Sequence, residues 1–472
     1  MAAKILRIQT LKRDGQDDVE LSIQTRDGGL TDALFQWINP SGWVMIYELP
    51  GTSLRYSTVQ FNERIYIADG KHHMYKYDGG SVCQLSTTIS PVVQYLVVFQ
   101  NRIVGAGDAR TQAEVVADGG TWPVDSNRDR VLFSEPLDET TWNPNSFIDF
   151  NTGIGEVITG LGVNSLNSST AGAQEQLVVF KDHFVGVNKG TLESPNQELD
   201  VLSSQRGCPA HNTIANTPFG LMFMSTDTMC LMPQNGQEPQ DIGLPMGLSI
   251  KGIPLNIQRD CAGFYFDDAY HLAIPASATA TTNNSEWELD LRQVMFPSQD
   301  MWYGPHSGDT ILQYETFRDT PSSDNNPYLI AAQQNTTNMW HLNTEGWYGS
   351  MAAVTTARTS TQKWPRLLMK GMKQAILDAF GFTGTINPSV ALSATVDIDK
   401  GTQQYTPTWT APASTSSSKP MYMLLRPTRR PGHDAQVSVS HSSWSDIIVD
   451  SLYIRTKPVG RQSEKQKSST QT

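Results

Sequence analysis

Three stretches of this chain follow one pattern: VQFNERIYIADG (residues 59–70), YLVVFQNRIVGAGD (residues 95–108) and QLVVFKDHFVGVNKG (residues 176–190). In each, an apolar run ends in phenylalanine (Phe61, Phe99, Phe180), two polar residues and a basic one follow, and a second apolar run ends near glycine. Val, Ile, Tyr and Phe favour strands, and Gly or Asp-Gly ends them. Each stretch therefore predicts a strand, a tight turn and a second strand.

The spacing of these hairpins indicates a repeat architecture. Phe99 lies 38 residues after Phe61, and Phe180 lies 81 residues further on, which corresponds to two units or one enlarged unit. Apolar pairs also begin at Phe219 and Cys261. Periods of about 40 to 50 residues with about four short strands each are typical of a β-propeller. At this period, the repeat region has room for about six to seven blades.

Composition agrees with a mainly β chain that acts inside a cell. The 472 residues include 36 Gly and 26 Pro, and only 17% are charged. No apolar run is long enough for a transmembrane helix, and the first residues lack the apolar core of a signal peptide. The four cysteines have no CxxC spacing and are predicted to be buried free thiols: Cys83, Cys208, Cys230 and Cys261.

Four segments are expected. Residues 1–50 form an amino-terminal docking or closing segment, residues 51–355 the β-propeller, residues 356–456 a small β-sandwich-like domain, and residues 457–472 a basic tail. Strand-like alternation in SVALSATVDIDKG, AQVSVSHSS and SDIIVDSLYIRTKP supports the third segment. Within RLLMKGMKQAILDAFG, however, apolar residues at helical spacing favour a helix over about 365–380.

Signals for catalysis and metal binding are weak, and we predict neither catalytic residues, nor a cofactor, nor a metal site. His72 and His73 are neighbours in a predicted strand and so point to opposite faces. The stretch DIDKG, with Asp397 and Asp399, starts like a calcium loop but has no acid at its end. ADGGTW (residues 117–122) is similar to the Asp-box of sialidase propellers, but its spacing differs, and a β-turn is the better interpretation.

Basic residues concentrate near the carboxyl terminus, although the net charge of the chain is −12. An acidic protein is a poor candidate for binding nucleic acid through its phosphates, but it can surround DNA without adhering to it. The basic residues are candidates to face DNA or a neighbouring subunit, against the simpler interpretation of a solvated loop and tail: Arg426, Arg429, Arg430, Lys457, Arg461, Lys465 and Lys467.

The order of the blade phrases resembles bacteriophage tail proteins of the nozzle, or packaged-DNA stabilisation, type. The similarity is good over residues 60–190 and looser over 365–461, where Trp444, Ile448 and Gly460-Arg461 match the closing strands. The matching positions of the first region are Asn101, Arg102, Ala106, Gly107, Ser134, Pro136, Trp142, Ile148, Gly155, Ile158, Phe180 and Lys181. By this resemblance, residues 365–380 would be strand rather than helix.

The resemblance implies a structural virion protein without enzymatic activity. Its relatives form a homohexameric ring below the portal and adaptor, contact tail fibre or spike proteins, and enclose a channel that retains packaged double-stranded DNA and conducts it at ejection. Assembly in the host cytoplasm into the virion tail would follow. An acidic lumen would repel DNA and let it slide.

Two other functions stay open. A glycan-binding or sialidase-like receptor-binding propeller would have an acidic and aromatic cleft at its axis. A cellular propeller scaffold is the other, but the Trp-Asp dipeptide pattern of that class is absent.

Overall fold

The computed structural model divides the chain into two units, residues 1–291 with 309–354 and residues 292–308 with 355–472. It describes residues 3–458 except for a set of gaps. These are 15–17, 27–28, 39–40, 53–54, 85–89, 123–126, 144, 151, 169–171, 189–191, 193–198, 244–246, 292–301, 307–309, 318–326, 343–358, 364–366, 369–374, 387–390, 399–402, 406–407, 411–418, 426–430, 433 and 443–446.

The first unit is built from antiparallel sheets whose strands are hydrogen-bonded in chain order. An amino-terminal sheet contains β1 (Ile5–Leu11), β2 (Val19–Arg26), β3 (Thr31–Ile38) and β4 (Gly42–Leu49). Six blades follow. Blade 1 contains β5 (Ser57–Phe61), β6 (Arg64–Ala68), β7 (Tyr75–Tyr77) and β8 (Val82–Gln84). Blade 2 contains β9 (Tyr95–Phe99), β10 (Arg102–Ala106), β11 (Arg130–Phe133) and β12 (Phe147–Asp149). Blade 3 contains β13 (Gly160–Ser168), β14 (Gly172–Phe180), β15 (Val185–Asn188) and β16 (Leu199–Ser203).

Blades 4 to 6 continue the same arrangement. Blade 4 contains β17 (Ala215–Thr217), β18 (Gly220–Met224), β19 (Met229–Pro233) and β20 (Gln240–Asp241). Blade 5 has β21 (Ala262–Phe266), β22 (Ala269–Ile274) and β23 (Ser285–Asp290) in this unit, and β24 (Trp302–His306) follows in the second unit. Blade 6 has β25 (Ile311–Phe317), β26 (Tyr328–Gln333) and β27 (Met339–Leu342). The described helices are short: α1 (Gln112–Ala117), α2 (Gly247–Lys251), α3 (Leu255–Gln258) and a 3-10 turn (His211–Thr213).

Contacts between the first strands of successive sheets arrange the blades in a ring. β5 contacts β9, β9 contacts β13, and so on through β17 and β21 to β25. β1 contacts both β25 and β5, so the amino-terminal sheet completes the ring between blade 6 and blade 1. The predicted mainly β fold with a β-propeller is confirmed.

Apolar side chains between consecutive blades form the core of the ring. Phe99 and Val104 of blade 2 belong to one buried cluster with Leu177 and Val179 of blade 3. The glycine in the phrase FVGVNKG is required there, because a Cβ on Gly186 would lie only 2.2 Å from the ring of Phe150. Close packing of this kind explains why small and large residues alternate in the repeated phrases.

The three phrases that define the repeat do not occupy equivalent positions. Phe61 and Phe99 end the first strand of their blades, whereas Phe180 ends the second strand of blade 3. The interval of 81 residues therefore contains one enlarged blade, in which the connection from β10 to β11 carries α1.

Two-residue type I′ turns join the first two strands in three blades. Asn62 and Glu63 have φ angles of 48° and 57°, and Gln100 and Asn101 have 50° and 57°. Asp267 and Asp268 form the corresponding turn between β21 and β22. Type I′ geometry matches strand twist but places both residues in the left-handed region, which favours Asn and Gly.

Glu63 is the residue in these turns least suited to a positive φ. Glu63→Gly is expected to stabilise the protein by about 1 kcal/mol, because glycine adopts this conformation without steric cost. The measurement is the urea unfolding midpoint of the full chain. Glu238→Gly, at an exposed loop position without a positive φ, is the control. An E63G midpoint at or below that of the wild type would contradict the assigned strain.

A buried glutamine joins the two ends of the ring. The Gln313 side chain in β25 accepts a hydrogen bond from the Ile8 backbone N–H (3.0 Å) and donates one to the Ile8 carbonyl (3.0 Å). The two residues are 305 positions apart in sequence. The Ile5 N–H also donates to the Thr336 carbonyl at 2.7 Å. Closure thus satisfies backbone groups of β1 that a ring edge would otherwise leave unpaired.

Gln313→Ala is expected to lower the free energy of unfolding by roughly 2–4 kcal/mol, because it leaves a buried donor and a buried acceptor on Ile8 unsatisfied. Urea unfolding of the full chain measures the effect. The matched control is Gln234→Ala, which removes an exposed side-chain hydrogen bond to the Pro218 carbonyl. Equal effects of the two variants would show that the Gln313 pairing does not stabilise the closure.

The second unit contains two further antiparallel sheets. The first is formed by β28 (Thr359–Lys363), β29 (Leu367–Leu368), β31 (Ala391–Ile398), β32 (Gln403–Tyr405), β33 (Thr408–Thr410) and β36 (Asp434–Ser442); the second by β30 (Ala375–Ile386), β34 (Lys419–Leu425), β35 (Pro431–Gly432) and β37 (Ile447–Pro458). The three predicted carboxyl-terminal strands are present as β31, β36 and β37.

The helix predicted from periodicity over 365–380 is wrong. Leu367–Leu368 and Ala375–Ile386 are strands, and Ala375–Ile386 pairs with β34 on one side and β37 on the other. Pairing on both sides makes Ala375–Ile386 a central strand, and helical spacing within a short apolar segment does not distinguish a helix from such a strand.

Candidate functional site

Polar side chains bridge the axis of the propeller. The guanidinium of Arg7 in β1 donates to Asn212 Oδ1 (2.5 Å) beside blade 4 and to Thr58 Oγ1 (3.0 Å) in blade 1. The amino-terminal sheet and blade 4 are not neighbours in the ring, so the bond from Arg7 to Asn212 crosses the axis. Ser57 and His211 make a second such contact at 3.4 Å.

Burial dominates the electrostatics at this depth. It lowers the pKa of His211 to about 3, with the charge of Arg7 as a second cause. It also lowers the pKa of Arg7 to about 10, against the opposing effect of Glu315. A pocket beside His211 and Tyr95 has only about 20 Å³ of space, roughly that of one water molecule. No acidic and aromatic cleft of the kind expected for a glycan-binding propeller is found at the axis in the described residues.

A cleft of about 560 Å³ lies instead where blade 2 joins blade 3, and we call it the connector cleft. Two stretches form its walls: the residues that lead into β11, and the segment that connects β12 to β13. The lining residues are Trp122, Arg128, Asp129, Arg130, Asp149, Thr152, Gly153, Gly155, Glu156 and Val157. This volume lies within the usual range of ligand sites.

Backbone hydrogen bonds hold the two walls together. The Phe150 N–H donates to the Asp129 carbonyl (2.7 Å), and the Ile158 N–H donates to the Arg128 carbonyl (2.9 Å). The chain between these bonds contains Gly153 and Gly155, whose φ angles are 86° and 82°. No atom lies within 4 Å of the position that a Cβ would occupy on either glycine. The connector therefore bulges away from the sheet and leaves backbone accessible at the cleft.

Two arginines of the cleft stack on aromatic rings. The Arg128 guanidinium lies 5.3 Å from the centroid of the Trp122 ring, and that of Arg130 lies 3.8 Å from the centroid of Phe147. Arg130 Nε also donates to Asp149 Oδ1 at 2.9 Å, and the Asp149 side chain is 45% exposed. Each guanidinium therefore makes a cation–π contact, which favours the position of its charge over the ring.

A fully buried lysine supports the base of the cleft. Lys181 Nζ donates to Asp129 Oδ1 (2.6 Å) and to the Glu156 carbonyl (3.1 Å), and it lies 5.6 Å from the centroid of the Phe150 ring. Its side chain has no exposed surface. A buried charge of this kind requires paired acceptors, and here the acceptors are supplied by both walls. Lys181 therefore fixes the spacing of the walls.

Glu156 is fixed by the turn between β14 and β15. His183 Nδ1 lies 2.6 Å from Glu156 Oε1, and the His183 backbone N–H donates to Glu156 Oε2 at 3.2 Å. The three carboxylates of the lining, with Arg128, Arg130 and Lys181, give equal numbers of formal negative and positive charges. The cleft thus presents donors and acceptors without a net charge.

The sequence did not point to these residues. Trp122 ends the stretch ADGGTW, which proves to be the end of α1: Asp118 caps the helix, Gly119 has a φ of 83°, and the Gly119 and Gly120 N–H groups donate to Val116 and Val115. The stretch is therefore the carboxyl-terminal cap of a helix, and not the β-turn that the sequence predicted. Of Arg128, Asp149 and Glu156, none stands in a recognisable motif, because they come together only when β12 connects to the next blade.

The basic residues predicted to face DNA or a neighbour do not form a patch in the described part of the chain. Arg426, Arg429, Arg430, Arg461, Lys465 and Lys467 lie outside the described residues. Lys457 lies in β37, where its backbone pairs with Ile376 of β30. Their role stays a prediction.

The weaker sequence signals resolve in part. His72 Nδ1 pairs with Asp69 Oδ2 at 2.7 Å, and this hydrogen bond raises the pKa of His72. Asp397 lies in β31, whereas Asp399 falls outside the described residues. Cys208, Cys230 and Cys261 are buried and free, as predicted. Among the described residues, no group of three or more His, Cys, Asp or Glu side chains is placed to hold a metal ion.

Comparison with known proteins shows no matching family model and no matching curated protein. Solved structures of low similarity include the computationally designed Ika8 protein (10% identity, 72% of this chain, 83% of that chain, TM-score 0.38). BamB from Moraxella catarrhalis has 8% identity over 71% of this chain and 94% of its own, with a TM-score of 0.37. An exo-β-1,3-galactanase from Phanerochaete chrysosporium has 10% identity over 85% of this chain and 95% of its own, with a TM-score of 0.26. In the described part of the chain, no helix is long and apolar enough to cross a membrane.

Glu20 is a buried carboxyl group beside the ring closure. Its pKa is raised to about 8 by burial and by the nearby Glu315, whose own pKa is raised mainly by burial. Glu20 Oε1 is buried and has no hydrogen-bond partner among the described residues. The protonated form is therefore favoured in the folded state up to about pH 8.

Glu20 should make stability fall as pH rises. Below about pH 4.5 the group is protonated in both states, whereas between about pH 4.5 and 8 only the unfolded state ionises, which favours unfolding. Glu20→Gln should therefore gain about 4 kcal/mol relative to the wild type between pH 5 and pH 8.5. Urea unfolding across this range is the measurement, and Glu48→Gln, at a 55% exposed side chain, is the control. A constant difference between E20Q and wild type would contradict the raised pKa.

Proposed function

We propose that this chain is a structural subunit of a bacteriophage tail, of the nozzle or packaged-DNA stabilisation type. It assembles as a homohexameric ring below the portal and adaptor, retains packaged DNA, and conducts it at ejection. Tail fibre or spike proteins bind the same ring, and assembly takes place in the host cytoplasm. The chain acts without catalysis.

The observation that carries this proposal is the structural role of the residues that give the resemblance. Arg102, only 4% exposed, donates from Nη1 to the Ser134 carbonyl at 2.9 Å. Ser134 Oγ in turn accepts the Ile103 N–H at 3.1 Å. Asn101 occupies a type I′ turn, and its carbonyl accepts the Leu137 N–H at 2.8 Å. The shared pattern is thus one that builds a blade, which is what a common architectural role requires.

Other matching positions are also occupied by packing residues. Ile148, Ile158 and Phe180 are at most 7% exposed. Trp142 Nε1 donates to the Glu139 carbonyl at 3.0 Å, which closes the turn after β11. The buried matching residues thus stabilise the fold, which supports a building element rather than an enzyme.

Charge and the filled axis are compatible with a conduit formed between subunits. A net charge of −12 gives a surface that repels DNA phosphates and does not retain them. Because Arg7 and Asn212 bridge the propeller axis, DNA does not pass along that axis within one subunit. In the proposed ring, the lumen is enclosed by several copies.

The proposal predicts a cyclic homo-oligomer. Light scattering on the purified chain, alone and mixed with the portal–adaptor complex of its virion, should give a species of about six times 52.2 kDa or a sixfold addition to the adaptor. The same mixture with an unrelated portal–adaptor complex is the control. A chain that stays monomeric and ignores its adaptor would overturn the proposal.

A further inference from the structure

We infer that the connector cleft is a binding site for an uncharged saccharide. This inference does not depend on the proposed tail function, because it uses only the geometry and chemistry of the residues that line the connector cleft and of Lys181 and His183. It assigns a ligand class to a site remote from the propeller axis.

The charge balance of the cleft selects against ions. Asp129 and Asp149 pair with Lys181 and Arg130 at 2.6 and 2.9 Å, Glu156 Oε1 lies 2.6 Å from His183 Nδ1, and Arg128 supplies the third positive charge of the balance. A phosphate or a nucleic-acid backbone would meet these three carboxylates at close range. A cationic ligand would meet two arginines in the same walls. A neutral ligand with many hydroxyl groups can make polar contacts in the cleft without repulsion from the carboxylates or from the arginines.

The arrangement of donors and acceptors matches such a ligand. Arg128 has no ion-pair partner among the described residues, and its planar guanidinium lies over the Trp122 ring at 5.3 Å from the centroid. Asp149 uses Oδ1 for Arg130 and keeps Oδ2 as an acceptor. A planar donor pair and a carboxylate oxygen in one cleft are suited to adjacent sugar hydroxyls, which both donate and accept.

The remaining surface supplies the apolar contact and the access that a sugar ring needs. Arg128 lies over one face of the Trp122 ring, and Trp122 lines the cleft with its remaining indole surface, on which carbon–hydrogen faces of sugars can pack. In the same cleft, Gly153 and Gly155 present backbone with open space beside it, and Thr152 adds a hydroxyl group. Since Lys181 and two inter-wall backbone hydrogen bonds hold the walls, the site is preorganised, and binding costs little reorganisation.

The first test is binding of the full-length protein to a printed array of neutral, sialylated and sulphated oligosaccharides. At least one neutral glycan should bind, and titration with that glycan should change the intrinsic fluorescence of the wild type. The fluorescence change should be lost in Trp122→Phe. Binding of charged glycans alone, or of none, would overturn the inference.

Variants with matched controls locate the site. Trp122→Ala should weaken binding of the array-selected neutral glycan roughly tenfold. Asp149→Asn should weaken it roughly fivefold, because it removes a charged acceptor. Asp118→Asn is the control, since Asp118 is also exposed and paired with an arginine but lies outside the cleft. Unchanged thermal unfolding excludes misfolding, and binding that survives both cleft variants would place the glycan elsewhere and overturn the inference. Inorganic phosphate should not compete; competition by phosphate would show an anion site instead.

Discussion

Closure of the ring is the constraint on which the rest of this structure depends. Each blade buries its faces only against its neighbours, so an open ring would expose two apolar faces and a strand edge. The chain solves this with β1, which comes first in the sequence yet contacts the last blade. The paired hydrogen bonds between Gln313 and Ile8 connect parts of the chain that are 305 residues apart. Pairing over such a distance carries a high loop-closure entropy and favours formation late in folding.

The polar character of the closure has an electrostatic consequence. Glu20, Glu315 and Arg7 all have pKa values shifted mainly by burial, so each has a desolvation cost in its charged form. Apolar residues at the same places would avoid that cost but would lose the hydrogen bonds of Arg7 to Thr58 and Asn212 and that of Gln9 to Glu315. The paired hydrogen bonds also favour one register of β1 beside β25, because the Gln313 side chain bonds both the N–H and the carbonyl of Ile8. The axis is therefore held by specific polar contacts, whereas the spaces between blades are held by apolar packing.

How far the sequence predicts this fold depends on whether the information is local. Phe61 and Phe99 end apolar runs before turn residues, and such hairpins are determined by neighbours in sequence. The sequence could not show that Phe180 ends a second strand and not a first one, because apolar and polar residues alternate in the same way in both kinds of strand. The helix predicted over 365–380 was wrong for a related reason, because only the pairing of Ala375–Ile386 with the sequence-distant β34 and β37 distinguishes this segment from a helix. Three buried cysteines were predictable because spacing alone argued against other roles.

The connector cleft shows the opposite case. Trp122 and Glu156 are 34 residues apart, and neither carries a signal that exceeds chance in one sequence. They meet because the chain must cross from the outer strand of blade 2 to the inner strand of blade 3, and because the enlarged β10–β11 connection returns at the same place. A propeller whose axis is filled by Arg7, Asn212 and His211 has lost the usual central location for a ligand. The connections between blades are then places where backbone groups, aromatic rings and charged side chains lie close together and are available to bind a ligand. The buried Lys181 joins both roles, since the residue that belongs to the blade pattern also sets the width of the cleft. Architecture and binding geometry in this protein thus rest on the same side chain.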